Sequence, residues 1–193
     1  MKLQSYKMML MTIIILSLTS CQPILKIFLG IKEPKIELKN SERLKYYQPF
    51  FNKNSKITSI YSLNDTLKLK EAFKDFNDFP IVYIENLDDE KVYYINCYDD
   101  TQDKIEDINS NKLPSSIKSN DSVFIKIEKY LDKLNSKKVQ EIKNDELPYG
   151  KWNVYLVSGT FLGKKLRKRT LPIINLKEIN SFKILDLSVN KSE

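Results

Sequence analysis

Apolar and polar positions repeat with two different periods along this chain, and each change of period marks an element. The first apolar stretch has no period at all. Met8 to Leu18 is almost unbroken hydrophobic residue, preceded by Lys2 and Lys7. It is far shorter than the roughly twenty residues a bilayer-spanning helix needs, so it reads as the core of a secretion signal. Residues 22–40, with Pro23, Pro34 and interspersed lysines, read as a tether. Ser41-Glu42-Arg43-Leu44 opens a short helix with Ser41 as its expected N-cap, and Pro49 is expected to end it. Ile57, Ser59 and Tyr61 against Thr58, Ile60 and Ser62 predict a strand. Asn64-Asp65 then caps a helix in which Leu69, Ala72, Phe73 and Phe76 recur at helical spacing.

Pro80 leads into Ile81–Ile84, and Val92–Ile95 follows a turn at residues 86–90, the strongest hairpin signal in the chain. A turn centred on Asp88 sets Phe79 opposite Cys97. Asp99 to Asp103 should cap a helix using Ile105 and Ile108, and Val123, Ile127, Tyr130, Leu131 and Leu134 trace an amphipathic helix. Asn135 to Gly150 reads as a polar connection and Trp152–Val157 as a strand. The basic run 164–169 reads as an exposed loop, Thr170-Leu171-Pro172 starts a helix with proline in its first turn, and Phe182–Val189 is the last strand. Helices and strands alternate, so the expected class is α/β or α+β, in one domain over residues 41–193.

Leu18-Thr19-Ser20-Cys21 resembles the bacterial lipobox: an apolar residue three before the cysteine, two small residues, then the cysteine. The resemblance implies a signal peptide at residues 1–20, cleavage before Cys21, and a diacylglyceryl thioether on its sulfur, usually with an acylated amine. Two or more acyl chains hold a protein on a membrane stably where one does not. Residues 21–40 then form a lipidated tether. Gln22 is not aspartate, so the common inner-membrane retention signal is missing and the expected address is the outer membrane of a bacterial cell envelope.

Composition narrows the chemistry. None of the 193 residues is histidine, which removes Ser-His-Asp and Cys-His catalysis and histidine-based zinc sites. Two cysteines, Cys21 and Cys97, give neither a disulfide scaffold nor a four-cysteine metal site. The net charge of +7 is uneven: residues 151–193 carry nine basic and three acidic side chains, residues 21–150 carry 21 and 22. The excess centres on Lys164, Lys165, Arg167, Lys168 and Arg169, a run able to meet an anionic surface. An envelope address makes nucleic acid an unexpected partner. Lysines outnumber arginines 29 to 3, the bias of an AT-rich genome, so plain solvation is the favoured reading of that run. Acids cluster at Asp88-Asp89-Glu90, at Asp99, Asp100 and Asp103, and at Glu106-Asp107; the first group stands in a hairpin turn and the second at a helix start, where acids are expected anyway. Four glycines leave no phosphate-cradling loop, and no metal or cofactor is expected. Tyr46, Tyr47, Phe50 and Phe51 read as the packing side of a short helix.

Towards the C-terminus, Val154-Tyr155-Leu156-Val157-Ser158-Gly159-Thr160-Phe161-Leu162-Gly163-Lys164-Lys165 resembles the strand and active-site turn of the thioredoxin family, which runs into Trp-Cys-Gly-Pro-Cys-Lys at a helix N-terminus. Leu171-Pro172-Ile173-Ile174 is similar to the Ala-Pro-Ile-Leu of that helix, and Phe182 to Asn190 to the strand after it. Residues 41–110 resemble the family's second half, with Phe79-Pro80 where the family places its cis-proline. The order is swapped, so the resemblance implies a circularly permuted thioredoxin-like α/β domain of a bacterial lipoprotein, a central mixed sheet with flanking helices. Leu162 and Lys165 stand where the family has its two cysteines, and Gly163 keeps the glycine between them. Thiol–disulfide exchange needs an attacking thiolate and a resolving thiol, so the expectation is a chain without dithiol oxidoreductase activity. It keeps a vestigial groove at Pro80, Cys97, Leu162, Gly163 and Lys165 that could receive an envelope protein or peptide. The alternative is a one-cysteine redox protein. A helix N-terminus would lower the Cys97 pKa and Asp99 and Asp100 would raise it, and a lone cysteine is more often a small buried apolar residue.

Overall fold

A computed structural model describes residues 37–51, 54–63, 65–76, 78–96, 101–117, 121–135 and 138–190. The segment expected as a signal peptide, Cys21, Cys97, Asp99 and Asp100 lie outside the described residues. The elements are β1 (Glu37–Leu38), α1 (Asn40–Tyr47), β2 (Ser55–Leu63), α2 (Thr66–Asp75), β3 (Ile81–Asn86), β4 (Val92–Asn96) and α3 (Thr101–Asn109). They continue with α4 (Ser122–Leu134), β5 (Lys138–Lys143), β6 (Trp152–Ser158), α5 (Lys164–Thr170) and β7 (Ile179–Asn190). Single 3-10 turns at Gln48–Phe50 and Leu171–Asn175 follow α1 and α5, each with a proline near its start.

The fold is mixed α/β, built on a seven-stranded mixed sheet in the order β4-β3-β6-β7-β2-β5, with β1 added alongside β7. The neighbours β6–β7 and β7–β2 are parallel; β4–β3, β3–β6 and β2–β5 are antiparallel. The two-residue period of β7 sorts its side chains cleanly. Leu185, Leu187 and Val189 join a core with Leu63, Val157 and the buried stripes of α2 and α4. Phe182 and Ile184 join the opposite core with Ile60, Leu156, Tyr47 and Ile105. Helices cover both faces.

Several sequence expectations shift. Lys39 rather than Ser41 is the N-cap of α1, with its backbone N–H 3.4 Å from the Glu42 carboxylate. Residues 37–40, expected as tether, supply β1 and the start of α1. The stretch from Asn135 is not all connection, because Lys138–Lys143 is an edge strand on β2. The basic run is a helix, α5, and the proline follows it in the 3-10 turn. In the hairpin, Ile81 faces Asn96 and Tyr83 faces Tyr94, a register one residue later than a turn centred on Asp88 gives. The cause is local: Asn86 closes the loop through its N–H to the Lys91 carbonyl at 2.8 Å, while its side chain accepts the Asp88 N–H at 3.0 Å. Four residues then lie between the last partners instead of an odd number. The Phe79–Pro80 peptide is cis.

Candidate functional site

The parallel strands β6 and β7 end at one edge of the sheet, and β3 begins there because it runs antiparallel to β6. This direction alone brings Pro80, at the head of β3, to the turn that leaves β6. The contact is aromatic. The rings of Phe79 and Phe161 are 5.9 Å apart edge to face, and Phe73 from α2 stands 5.8 Å from Phe79 and 5.7 Å from Phe161. Gly159 permits this, because a Cβ there would sit 2.1 Å from the Phe161 ring. The Leu162 N–H closes the turn on the Gly159 carbonyl at 3.0 Å.

Of the residues singled out in the sequence, Pro80, Leu162 and Gly163 are buried at this corner. Phe73 and Phe79 are half-buried and form its accessible rim. The Leu162 carbonyl accepts the Tyr46 hydroxyl at 2.9 Å. Arg167 stacks its guanidinium 4.9 Å from the Tyr46 ring centre and reaches the Tyr46 carbonyl at 3.3 Å. Burial pushes the Tyr46 hydroxyl up to about 12, against the pull of Arg167. Tyr46 therefore stays a neutral donor across the ordinary pH range. Lys165, Lys168 and Arg169 are exposed on α5, while Leu166 turns into the core. Cys97, the remaining residue singled out for this corner, lies outside the described residues.

Beside the corner lies a cluster that sequence reading missed. Arg43 and Asp186 form a fully buried ion pair with Nε 2.6 Å from Oδ2. The other four guanidinium hydrogens are also used. Nη1 donates to the side-chain oxygens of Asn40 and Asn190, both at 2.8 Å; Nη2 donates to Ser188 Oγ at 2.8 Å and the Val189 carbonyl at 3.4 Å. Asp186 further accepts the Tyr47 hydroxyl at 2.8 Å and a short bond from Ser188. Burial and Asp186 drive the Tyr47 hydroxyl well above its ordinary value. A buried charge this fully bonded is a structural pin. The available signal was the polar alternation Asp186, Ser188, Asn190 among the apolar Leu185, Leu187 and Val189 of the strand's second half.

The opposite face carries a second polar group. Glu85 accepts from Asn153 at 2.9 Å and from the Tyr155 hydroxyl at 2.7 Å, and Lys183 lies 4.8 Å from the Tyr155 ring centre. Glu128 on α4 faces them, its carboxyl raised by burial and by Glu85, with Lys183 opposing. A cavity of about 220 Å³ adjoins this group, walled by Lys183, Ser59, Ser181 and Glu141. Among the described residues no group of acids or thiols is arranged to hold a metal, and no helix is long and apolar enough to cross a membrane.

No protein-family model, curated protein or solved structure matches the chain. The geometry by itself defines a class: a mixed α/β domain whose strand-end corner is closed by aromatic packing, with charged clusters held on both sheet faces.

Proposed function

We propose that the chain is a lipid-anchored envelope protein whose folded part is a non-catalytic, permuted thioredoxin-like scaffold that binds a protein or peptide. The observation that carries the reading is the corner. The segment Phe79-Pro80 heads β3 and packs on Phe161, in the turn before α5, where the resemblance aligns Leu162 and, just inside the helix, Lys165 with the thioredoxin cysteines. Strand β6 leading into that turn and then into α5, with β3–β4 as the hairpin after the proline, fits the swapped order of the resemblance. Leucine and lysine cannot exchange disulfides. What remains is a rim of half-buried phenylalanines beside exposed Lys165, suited to an extended segment with an apolar side chain. Leu18-Thr19-Ser20-Cys21 supports the anchor.

Three measurements test the reading. Cys21→Ser should leave unprocessed chain and abolish membrane fractionation; normal processing and fractionation of that variant would overturn the anchor. A photo-crosslinking residue at Lys165 should give a discrete envelope adduct that is lost in Phe79→Ala, while the same residue at Tyr149, 82% exposed and remote from the corner in the sheet, should not. Equal adducts at the two positions would overturn the binding corner. Turnover of insulin disulfides by the wild-type chain would overturn the non-catalytic reading.

A further inference from the structure

We propose that the cleft between α2 and α4 binds a small anion carrying a short apolar stem, such as a phosphate or carboxylate on a few carbons. The cleft holds a cavity of about 190 Å³, room for some six waters at ~30 Å³ each. Its floor is apolar, made by the buried side chains of Leu63 at the end of β2 and Leu134 at the end of α4. Its rim is cationic. Lys68 comes from α2, and Lys126, Lys129 and Lys133 come from α4.

The acids facing these lysines do not neutralise them. Asp75 is committed: Lys126 holds one of its oxygens at 2.9 Å and the Tyr130 hydroxyl donates to the other at 3.1 Å. Those bonds lower the Asp75 pKa, so it stays ionised and keeps Lys126 occupied. Glu71 is then the one remaining acid of the lining, against Lys68, Lys129 and Lys133. None of these three ammonium groups has a carboxylate within ion-pair distance among the described residues.

On helix α4, Lys126, Lys129 and Lys133 line the cleft, whereas Asp132 lines the cavity on the other flank and Glu128 lies near Glu85 and Lys183. Lys129 and Lys133 are like charges at i,i+4 and repel, and Asp132, three residues from Lys129, offsets only part of that repulsion from the other flank. An anion seated between them relieves that repulsion, and an attached stem covers Leu63 and Leu134. A bare anion would leave this floor wet, which is why the ligand class includes the stem. The assignment is independent of how the chain is anchored.

The test uses the full chain in nanodiscs of zwitterionic lipid, followed through the methyl resonances of Leu63 and Leu134. Inorganic phosphate, methyl phosphate, butyl phosphate and butanol are titrated in turn. Butyl phosphate should bind with shifts at both methyl groups, tightening about fourfold per added methylene, the equivalent of ~0.8 kcal/mol of burial each. Lys129→Glu with Lys133→Glu, both exposed positions, should weaken it about tenfold or more, and Lys165→Glu should leave it unchanged. Replacing the soluble ester by a phosphatidate lipid in the disc distinguishes the sources: shifts at the two leucines in that arm identify a lipid headgroup, shifts with the soluble ester alone a free one. Equal affinity for inorganic and butyl phosphate, binding of butanol as tight as of the ester, indifference to the double charge reversal, or no leucine shift in either arm would overturn the proposal.

Discussion

Arg43 shows what a single side chain costs when its surroundings are built for it. All its N–H groups are bonded inside a region that water does not reach, so its removal strands the Asp186 charge. Breaking one partner of a buried pair typically costs ~3–5 kcal/mol, while replacing both by apolar residues is often close to neutral. Arg43→Met should therefore lower stability by that amount in urea unfolding, and Arg43→Met with Asp186→Leu should recover most of it. A double variant as unstable as the single one would mean that the remaining hydroxyls and amides depend on the charges. Glu128 gives a prediction with a sign. Its folded pKa lies above the ordinary carboxyl value, first because it is buried and then because Glu85 is near. The folded state thus holds the proton more tightly, and stability falls as pH rises through the window between the unfolded and folded values. Glu128→Gln removes that loss. It should raise the melting temperature at pH 7 and leave it unchanged below about pH 4, near the unfolded carboxyl pKa; an equal gain at both pH values would assign the effect to packing. Neither residue was legible as a site in the sequence, because partners 143 positions apart, as for Arg43 and Asp186, are joined only by the strand order.

At the scale of elements, the sequence is legible wherever an apolar period faces a core. The helices α2 and α4, strands β3, β4 and β6, and the centre of β7 all announce themselves this way. Strand β5 does not. Lys-Val-Gln-Glu-Ile-Lys lies at the sheet edge, where charged side chains discourage a further strand and erase the alternation. Helix α5 is hidden for a related reason: of its described side chains only Leu166 and Thr170 are buried, too few to set an apolar period, although lysine and arginine favour helix. The corner was partly legible, since Pro80 and the turn at 159–163 could be marked from sequence. Its closure by Phe73, Phe79 and Phe161 could not, since the three rings come from three elements. Gly150, just before β6, reads in the sequence only as the end of a polar connection. Its structural task is close approach: a Cβ there would lie 2.0 Å from the backbone oxygen of Glu178, the same oxygen that accepts the Trp152 N–H at 3.1 Å. Gly150→Ala should push the loop before β7 away and cost ~1–3 kcal/mol, the range for overpacking. Unchanged stability with unchanged amide shifts at Trp152 and Glu178 would contradict this.

For the whole molecule, the question is which end of the sheet the chain's N-terminal segment leaves from. Strand β1 lies parallel to the last residues of β7, Glu37 opposite Val189 and Leu38 opposite Asn190. That is the end at which β6 gives way to the corner and to α5. Residues 22–36 separate Cys21 from β1 and span at most about 55 Å when fully extended. Under the anchor proposed at Cys21, the basic end is the one from which the tether leaves the fold. The exposed charges Lys165, Lys168 and Arg169 lie there, and so does Leu67, 70% exposed in the first turn after β2. Each cation near an anionic surface contributes ~1 kcal/mol. Three are too few to hold a free domain on a membrane, but enough to orient one whose tether already confines it, since tethering raises the local concentration without any new contact. The sequence alone favours plain solvation of this run; the exit point of the tether is what argues for contact. A polarity-sensitive fluorophore on Leu67→Cys, in the chain anchored through a lipid at residue 21 and with Cys97→Ser, should report an apolar environment on vesicles containing anionic lipid. The signal should fade as salt shortens the Debye length below ~8 Å, and the same probe at Tyr149→Cys should stay in water throughout. Equal signals on neutral and anionic vesicles, or at the two positions, would leave α5 a solvated helix and the orientation unset.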